Sequence, residues 1–231
     1  MPAPDKKFIQ EAFESITPHY DRLNQVLSFG MSEAWRQRSA KIVLSDPSFA
    51  PRTLLDLGCG TGKFLECFLR EKSWESVTGV DFSVAMLKKA RETVSGNVLW
   101  LREDFDALPF LEASFDLVIS GFTLRSVQKL PEFLSTVLRI LTPGGKVAFL
   151  DLTRPRNFWA RLFFYPYLKC VLPLLGGFVS GNRKAYGFLA SSVHKFQAPE
   201  ETLRLMQAAG YRDCTSKSFA FGAATLIIGK K

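Results

Sequence analysis

The sequence predicts an α/β fold, a doubly wound and mostly parallel sheet of seven strands with a helical extension at its N-terminus. Two observations carry this. From residue 53 onward, short apolar segments alternate with amphipathic helical stretches, the pattern of a parallel sheet buried on both faces. The first apolar segment runs directly into a glycine-rich turn that opens a helix, Leu54-Leu55-Asp56-Leu57-Gly58-Cys59-Gly60-Thr61-Gly62-Lys63. Length agrees with both: 231 residues make one full domain at ~150 residues per domain, enough to bury a sizeable core without staples.

Taken in order, residues 5–45 read as helical. Phe8, Phe13 and Ile16 stand at near-helical spacing, Pro18 breaks the run, and Leu23, Val26 and Leu27 resume it. A second break falls near Gly30, a further helix is predicted over Trp35–Leu44, and Asp46-Pro47 and Pro51 punctuate the exit. Strands are predicted at Thr53–Leu57, Ser76–Val80, Val98–Arg102, Leu117–Ser120 and Lys146–Asp151, with helices at Lys63–Lys72, Ser83–Val94 and Pro131–Leu141. Residues 154–198 interrupt the rhythm with an aromatic stretch from Phe158-Trp159 to Phe178. A helix over Pro199–Ala209, stopped by Gly210, and strands near Asp213–Phe219 and Ala224–Gly229 close the chain.

Composition removes several function classes. Apolar residues make up 47% and charged residues 23%, which argues against disorder and fibrous repeats. The longest run without Asp, Glu, Lys or Arg is the thirteen residues from Cys170 to Asn182, broken by Pro173, short of the ~20 that a spanning helix needs. The start of the chain lacks the apolar stretch of a signal peptide. Net charge is +8 and the sequence pI is about 9.4, but the basic residues are scattered, with no run longer than a pair. A nucleic-acid partner is therefore not expected, and weak attraction to an anionic membrane surface is. Four cysteines without a Cys-x-x-Cys pair and two histidines indicate neither a metal site nor a disulfide framework. A cytoplasmic location is the expectation.

The glycine turn is where chemistry is expected. Glycines let a backbone approach a ligand closely, and the following helix offers unpaired N–H groups to it. The next strand ends at Asp81, whose carboxylate could accept bonds from two ribose hydroxyls or could serve the following helix as a cap. Glu103-Asp104-Phe105-Asp106 again places polar groups at the same edge. A dinucleotide turn requires Gly-x-Gly-x-x-Gly, whereas here Gly58, Gly60 and Gly62 are followed by Lys63.

The turn instead resembles motif I of class I S-adenosylmethionine methyltransferases. So do Asp104 with Leu108-Pro109-Phe110, Ser114-Phe115-Asp116-Leu117-Val118, and Leu141-Thr142-Pro143-Gly144-Gly145. The flanks narrow the resemblance to the ubiquinone/menaquinone-biosynthesis C-methyltransferase family. They are Tyr20-Asp21-Arg22-Leu23-Asn24-Gln25 through Gly30 with Trp35-Arg36, Phe122-Thr123-Leu124-Arg125-Ser126, and Tyr186-Gly187-Phe188-Leu189 with Ser192 and Phe196. Thr123 and Ser126 stand where that family carries Gly and Asn, and Gln197-Ala198-Pro199 departs from its Phe-Pro ending.

The resemblance implies a Rossmann-like fold with an antiparallel C-terminal strand. It also implies methyl transfer from S-adenosylmethionine, leaving S-adenosylhomocysteine, to a ring carbon of a reduced polyprenyl quinone precursor, without a metal. Demethylmenaquinol is the expected acceptor, with the related ubiquinone precursor, another small apolar acceptor and a catalytically silent binding module left open. Asp56, Gly58, Gly60, Thr61, Gly62, Asp81, Phe82, Asp104, Phe105 and Gly121 are the expected cofactor contacts. Asn24, Phe122, Ser126, Tyr165, Tyr186 and Ser192 are the expected substrate contacts.

Chemistry suggests the catalytic set. Removing a phenolic proton pushes charge onto the neighbouring ring carbon, which then attacks the methyl group. Arg125 stays protonated, so it can stabilise a phenolate or else pair with a structural carboxylate. His19, Tyr20 and Asp21 are candidate proton relays, with packing, turn and capping roles as the alternatives. The chain then reads as one domain: a helical flap (1–50), a cofactor-binding core (53–151), a substrate-recognition insertion (152–198) and closing elements (199–231). The expected partners are a lipophilic quinol and, transiently, the inner face of a membrane, reached through the aromatic and cationic segment 158–169. A homodimer is compatible with all of this.

Overall fold

The computed structural model describes residues 20–104, 108–153 and 198–231. Seven strands form one sheet: β1 (Thr53–Leu57), β2 (Ser76–Asp81), β3 (Leu99–Arg102), β4 (Phe115–Gly121), β5 (Leu141–Leu152), β6 (Arg212–Phe219) and β7 (Ala224–Lys230). Their spatial order is β3-β2-β1-β4-β5-β7-β6. Neighbours are parallel as far as β5, and β7 runs antiparallel to both β5 and β6. The mostly parallel sheet and its antiparallel C-terminal strand are thus both present.

The described helices are α1 (Tyr20–Leu27), α2 (Met31–Leu44), α3 (Lys63–Glu71), α4 (Val84–Thr93), α5 (Leu130–Ile140) and α6 (Pro199–Ala209). Gly30, at φ 75°, separates α1 from α2, and its N–H donates to the Gln25 carbonyl at 2.7 Å. This is the expected break, with a left-handed glycine closing the first helix. Ser83 caps α4, its hydroxyl accepting the Met86 N–H, and Gly210 closes α6 at φ 104°.

Alternation along the strands sorts the core into two halves. Leu55, Leu57, Val80, Val118 and Phe149 pack with α5 and α6 through residues such as Leu134, Val137 and Met206. Leu54, Val77, Leu117, Ile119 and Leu150 pack with α2 and α3 through Trp35, Val43, Leu65 and Phe68. Both faces are covered, as continuous apolar strands require.

One boundary differs from expectation. The predicted helix through Leu141 and the later strand from Lys146 are joined without a loop, because α5 stops at Ile140 and β5 begins at Leu141. Leu141 pairs with Phe115, and the register then shifts so that Lys146 pairs with Leu117. The turn-forming residues Thr142-Pro143-Gly144-Gly145 are absorbed as an irregularity inside the strand rather than as a connection between elements.

The consequence for the site is topological. Chain connections leave β1 for one side of the sheet, through α3 to β2, and leave β4 for the other, through α5 to β5. A crevice opens at the carboxyl ends of β1 and β4, where open α/β sheets bind ligands. No helix among the described residues is long and apolar enough to cross a membrane.

Candidate functional site

The cleft at this switch point is lined by Tyr20 of α1, Arg36 of α2, Asp56, the turn Gly58–Thr61, Lys63 and Phe64 of α3, and Gly121 and Phe122 after β4. Its floor is the glycine turn. Gly60 and Gly62 adopt φ 54° and 80°, a region that side chains disfavour. A Cβ on Gly62 would also collide with Val94. The turn is held from below, where Gly58 and Cys59 both donate N–H groups to the Val80 carbonyl at 2.8 and 2.9 Å.

Asp81 stands where it was expected, at the end of β2, but its carboxylate is engaged with the protein. Oδ2 accepts the Gly60 N–H at 2.8 Å and Oδ1 accepts the Ser83 N–H at 2.9 Å. It therefore shapes the glycine turn and leads the chain into α4, while Ser83 does the capping. Burial raises its pKa, against the pull of the Ser83, Gly60 and Phe82 N–H groups. Each carboxylate oxygen has two lone pairs, so capacity for a ligand is left.

Asp56 differs. It is fully buried on β1, and neither carboxylate oxygen has a hydrogen-bond partner among the described residues. Burial, reinforced by the nearby Asp81 charge and partly offset by Arg36 and by the backbone N–H of Leu65, moves its pKa up to about 8. An unpartnered buried carboxylate costs folding energy, and this one lines the cleft. Such a group fits a bound polar ligand.

Two longer-range contacts were not legible beforehand. Thr61 donates its hydroxyl to Asp21 Oδ1 at 2.7 Å, which latches α1 onto the glycine turn. Arg125, in a 3-10 turn over Leu124–Ser126, pairs with Asp151 at the end of β5, with Nη1 3.0 Å from Oδ1. Both side chains are largely buried, and burial raises the Asp151 pKa against the effect of Arg125. The alternative of a carboxylate partner for Arg125 is thus realised, with one guanidinium nitrogen engaged through a side-chain hydrogen bond among the described residues.

The remaining expected residues divide by position. Gly121 and Phe122 line the cleft, Phe122 at φ 60°. Asn24 is half-buried on α1, Phe82 follows Asp81 half-buried, and Asp104 is exposed after β3. Ser126 is exposed, its backbone N–H donating to the Thr123 carbonyl, so this side chain is not enclosed by the described residues. His19, Phe105, Tyr165, Tyr186 and Ser192 lie outside the described residues, as does the 158–169 segment.

Sequence reasoning missed Arg36 and Asp151 as parts of the site. A signal for Arg36 existed: it falls on the buried stripe of α2 with Ser32, Trp35, Ser39, Ala40 and Val43, and a charge on a buried helical face calls for a partner.

The chain is 37% identical over 226 residues to a demethylmenaquinone methyltransferase of Deinococcus radiodurans, covering 96% of this chain and 92% of that one. It is 34% identical over 230 residues to the ubiquinone/menaquinone biosynthesis C-methyltransferase UbiE of Geobacter sulfurreducens, covering 96% and 88%. Among solved structures, the fold resembles an S-adenosylmethionine-dependent methyltransferase from Thermotoga maritima, with a TM-score of 0.68, 21% identity and coverage of 96% and 99%. It also resembles human N-acetylserotonin methyltransferase, with a TM-score of 0.60, 19% identity and coverage of 94% and 58%. The model of the ubiE/COQ5 methyltransferase family matches residues 1–231, and the chain belongs to that family.

Proposed function

We propose that this protein transfers a methyl group from S-adenosylmethionine to a ring carbon of a reduced polyprenyl quinone precursor, with demethylmenaquinol as the preferred acceptor. The observation that carries the reading is the cleft itself: a backbone-lined glycine turn beside the buried, unpartnered Asp56, in a chain matched along its whole length by this methyltransferase family. When bound, S-adenosylmethionine supplies an electrophilic methyl group on a positively charged sulfur. Asp56, Asp81, Thr61 and the glycine turn are the residues that would hold it.

The chain's contribution to the chemistry is alignment, charge stabilisation and exclusion of water. Arg125 presents a permanent positive charge whose position Asp151 restrains, and it is assigned here to the developing phenolate. Tyr20 lines the cleft, and Asp21 sits one residue away on the latch to Thr61. Those two are the proposed proton-accepting groups. Asn24 and Phe122 are proposed to bound the acceptor ring.

A prenyl tail loses about 0.8 kcal/mol per exposed CH₂, so the acceptor is taken at a membrane surface with its tail left in lipid. The +8 charge favours an anionic surface. Sedimentation with anionic vesicles should pull the protein down at low salt and release it at high salt. Persistence in the supernatant at low salt would remove the membrane part of the proposal alone.

The decisive experiment is incubation with methyl-labelled S-adenosylmethionine and reduced quinones of the naphthalene and benzene types, followed by mass analysis of the lipid. Label on a naphthoquinol ring carbon supports the reading, and label on the benzoquinol alone redirects it to ubiquinone synthesis. Cofactor binding without label on either ring favours a silent binding module.

A further inference from the structure

Two large aromatics among the described residues stand in the open on backbone that side chains disfavour. Phe29 follows α1 at φ 51° and is 73% exposed. Its N–H donates to the Val26 carbonyl at 3.1 Å and the Gly30 N–H to the Gln25 carbonyl at 2.7 Å. These are the paired bonds of a Schellman ending, in which the position of Phe29 is ordinarily glycine's. Phe221 sits at the tip of the β6–β7 hairpin at φ 56°, between Ala220 and Gly222, which also have positive φ. It is 85% exposed. Rings on left-handed backbone cost stability, and these two bury little in return, so folding does not account for them.

Both tips lie on the edge of the sheet where the cleft opens. α2 runs from that edge to the opposite one. Near its start Arg36 stacks on Phe122 beyond β4, and just past its end Asp46 pairs with Lys146 at 2.8 Å, the residue that starts the regular pairing of β5 with β4. Phe29 precedes this helix and so stands at its cleft end, with exposed Val26 and Met31 beside it in the chain. The hairpin tip is fixed at the carboxyl end of β5, where Leu152 pairs with Ala224 and the Thr153 hydroxyl donates to the Gly222 carbonyl at 2.9 Å. Each tip has a cation on its own element. Exposed Arg22 shares a stripe of α1 with Val26, four residues on, and exposed Lys217 lies on β6 four residues before Phe221. No acidic residue occurs over 22–32 or 216–231.

We propose that these two corners form a rim that docks the cleft onto an anionic lipid surface, with Phe29 and Phe221 entering the bilayer and Arg22 and Lys217 meeting headgroups. This rests on the acceptor reading above, in which the tail stays in lipid, and adds the surface that brings the cleft to it. Aromatics flanked by cations suit the membrane interface, and the +8 charge supplies attraction. Lipid accepts single projecting rings, whereas a protein partner would have to match about 800 Å² of surface on each side.

The test sediments the full-length protein with vesicles of phosphatidylcholine and phosphatidylglycerol at low salt. The wild type should bind. Phe29→Gly and Phe221→Gly should each bind about tenfold more weakly, the loss of one inserted aromatic, and melt no lower than the wild type, because glycine relieves the left-handed backbone. Phe29→Trp and Phe221→Trp should keep the binding, with added tryptophan emission that lipids brominated in their chains quench. Undiminished binding by the folded double glycine variant overturns the rim and leaves the acceptor reading intact. Absence of added quenching in both tryptophan variants overturns it whether or not the glycine variants fold. Conversion of a dimer to a monomer by the glycine variants, with vesicle binding kept, would give the corners to a second copy of the chain and overturn the rim. Methyl transfer to a tail-less naphthoquinol in solution checks the acceptor reading apart from lipid, and should be the same in every variant.

Discussion

Asp116 and Asp56 sit on adjacent paired strands at opposite ends of the sheet. Asp116, at the amino end of β4, is saturated. Oδ2 accepts the Arg52 and Thr53 N–H groups at 2.8 and 3.0 Å, and Oδ1 accepts the Thr142 hydroxyl at 2.9 Å. Burial pushes its pKa up, but the combined hydrogen bonds outweigh burial and leave it lowered. Asp56, at the carboxyl end of β1, has none of these bonds and a raised pKa. A carboxylate whose lone pairs are filled by its own chain ties β4 to β1 and β5. One left unfilled in a buried cleft adds nothing to stability and is available to a ligand. These two carboxylates thus differ in whether the chain itself uses them: Asp116 is committed to the fold, and Asp56 is left open toward the cleft.

That division can be broken most severely at a residue belonging to both classes. Arg125→Met strips the buried Asp151 of its partner, and loss of one member of a buried pair costs about 3–5 kcal/mol. Chemical denaturation should record the loss. The double variant Arg125→Met/Asp151→Leu should recover most of that stability. Turnover on quinol should remain down by about 100-fold or more in the double variant if Arg125 also stabilises phenolate. Recovery of activity together with stability would make Arg125 structural only.

Asp116→Ala removes the acceptor of two N–H groups and a hydroxyl, all of them exposed or half-buried, and at the net worth of such bonds should lower unfolding free energy by about 1–2 kcal/mol. Its affinity for S-adenosylhomocysteine should be unchanged in the folded fraction. Asp56→Asn should do the reverse, with stability retained or raised and affinity at least tenfold weaker. If both variants lose stability alike, the contrast between the ends of the sheet fails.

Asp81 lies between these extremes, because it serves the glycine turn and is assigned to the ligand as well. Asp81→Ala should weaken S-adenosylhomocysteine binding at least tenfold, the loss of charge-assisted bonds worth ~1.5–3 kcal/mol each. It should also lower the melting temperature modestly, since the Gly60 and Ser83 N–H groups lose their acceptor.

The smallest effect is in pH. With its pKa moved up to about 8 by burial, Asp56 is largely protonated in the free protein near neutrality, and its ionised form is the one that favours a positively charged ligand such as the methyl donor. Arg36, Asp81 and the Cys59 thiol are the charged and titratable groups interacting with it. Affinity should therefore rise severalfold from about pH 6.5 to about pH 8, with a proton released on binding at the lower pH. Stability runs the other way. A group whose pKa is raised by folding stabilises the native state most below its unfolded value, and that contribution is lost as pH climbs through about 8. Asp56→Asn should flatten both profiles.

The sequence by itself determined the order of strands and helices, the breaks at Gly30 and Gly210, the glycine turn and the place of Asp81. Each is written in local signals: apolar alternation, left-handed glycines, and a strand running into a helix. Tertiary structure alone decided what those residues do. Asp116 and Asp56 both read as an acid on an apolar strand, and only the register of β1, β4 and β5 makes one saturated and the other unpartnered. Arg125 meets Asp151 across 26 residues and Asp21 meets Thr61 across 40. Arg36 reaches the cleft because α2 packs beside α3 under the sheet's switch point. Periodicity encodes which face of an element is buried. It does not encode which side chain lies opposite once the crossovers fold back, because that depends on strand order, on register and on the twist that brings distant loops to one edge.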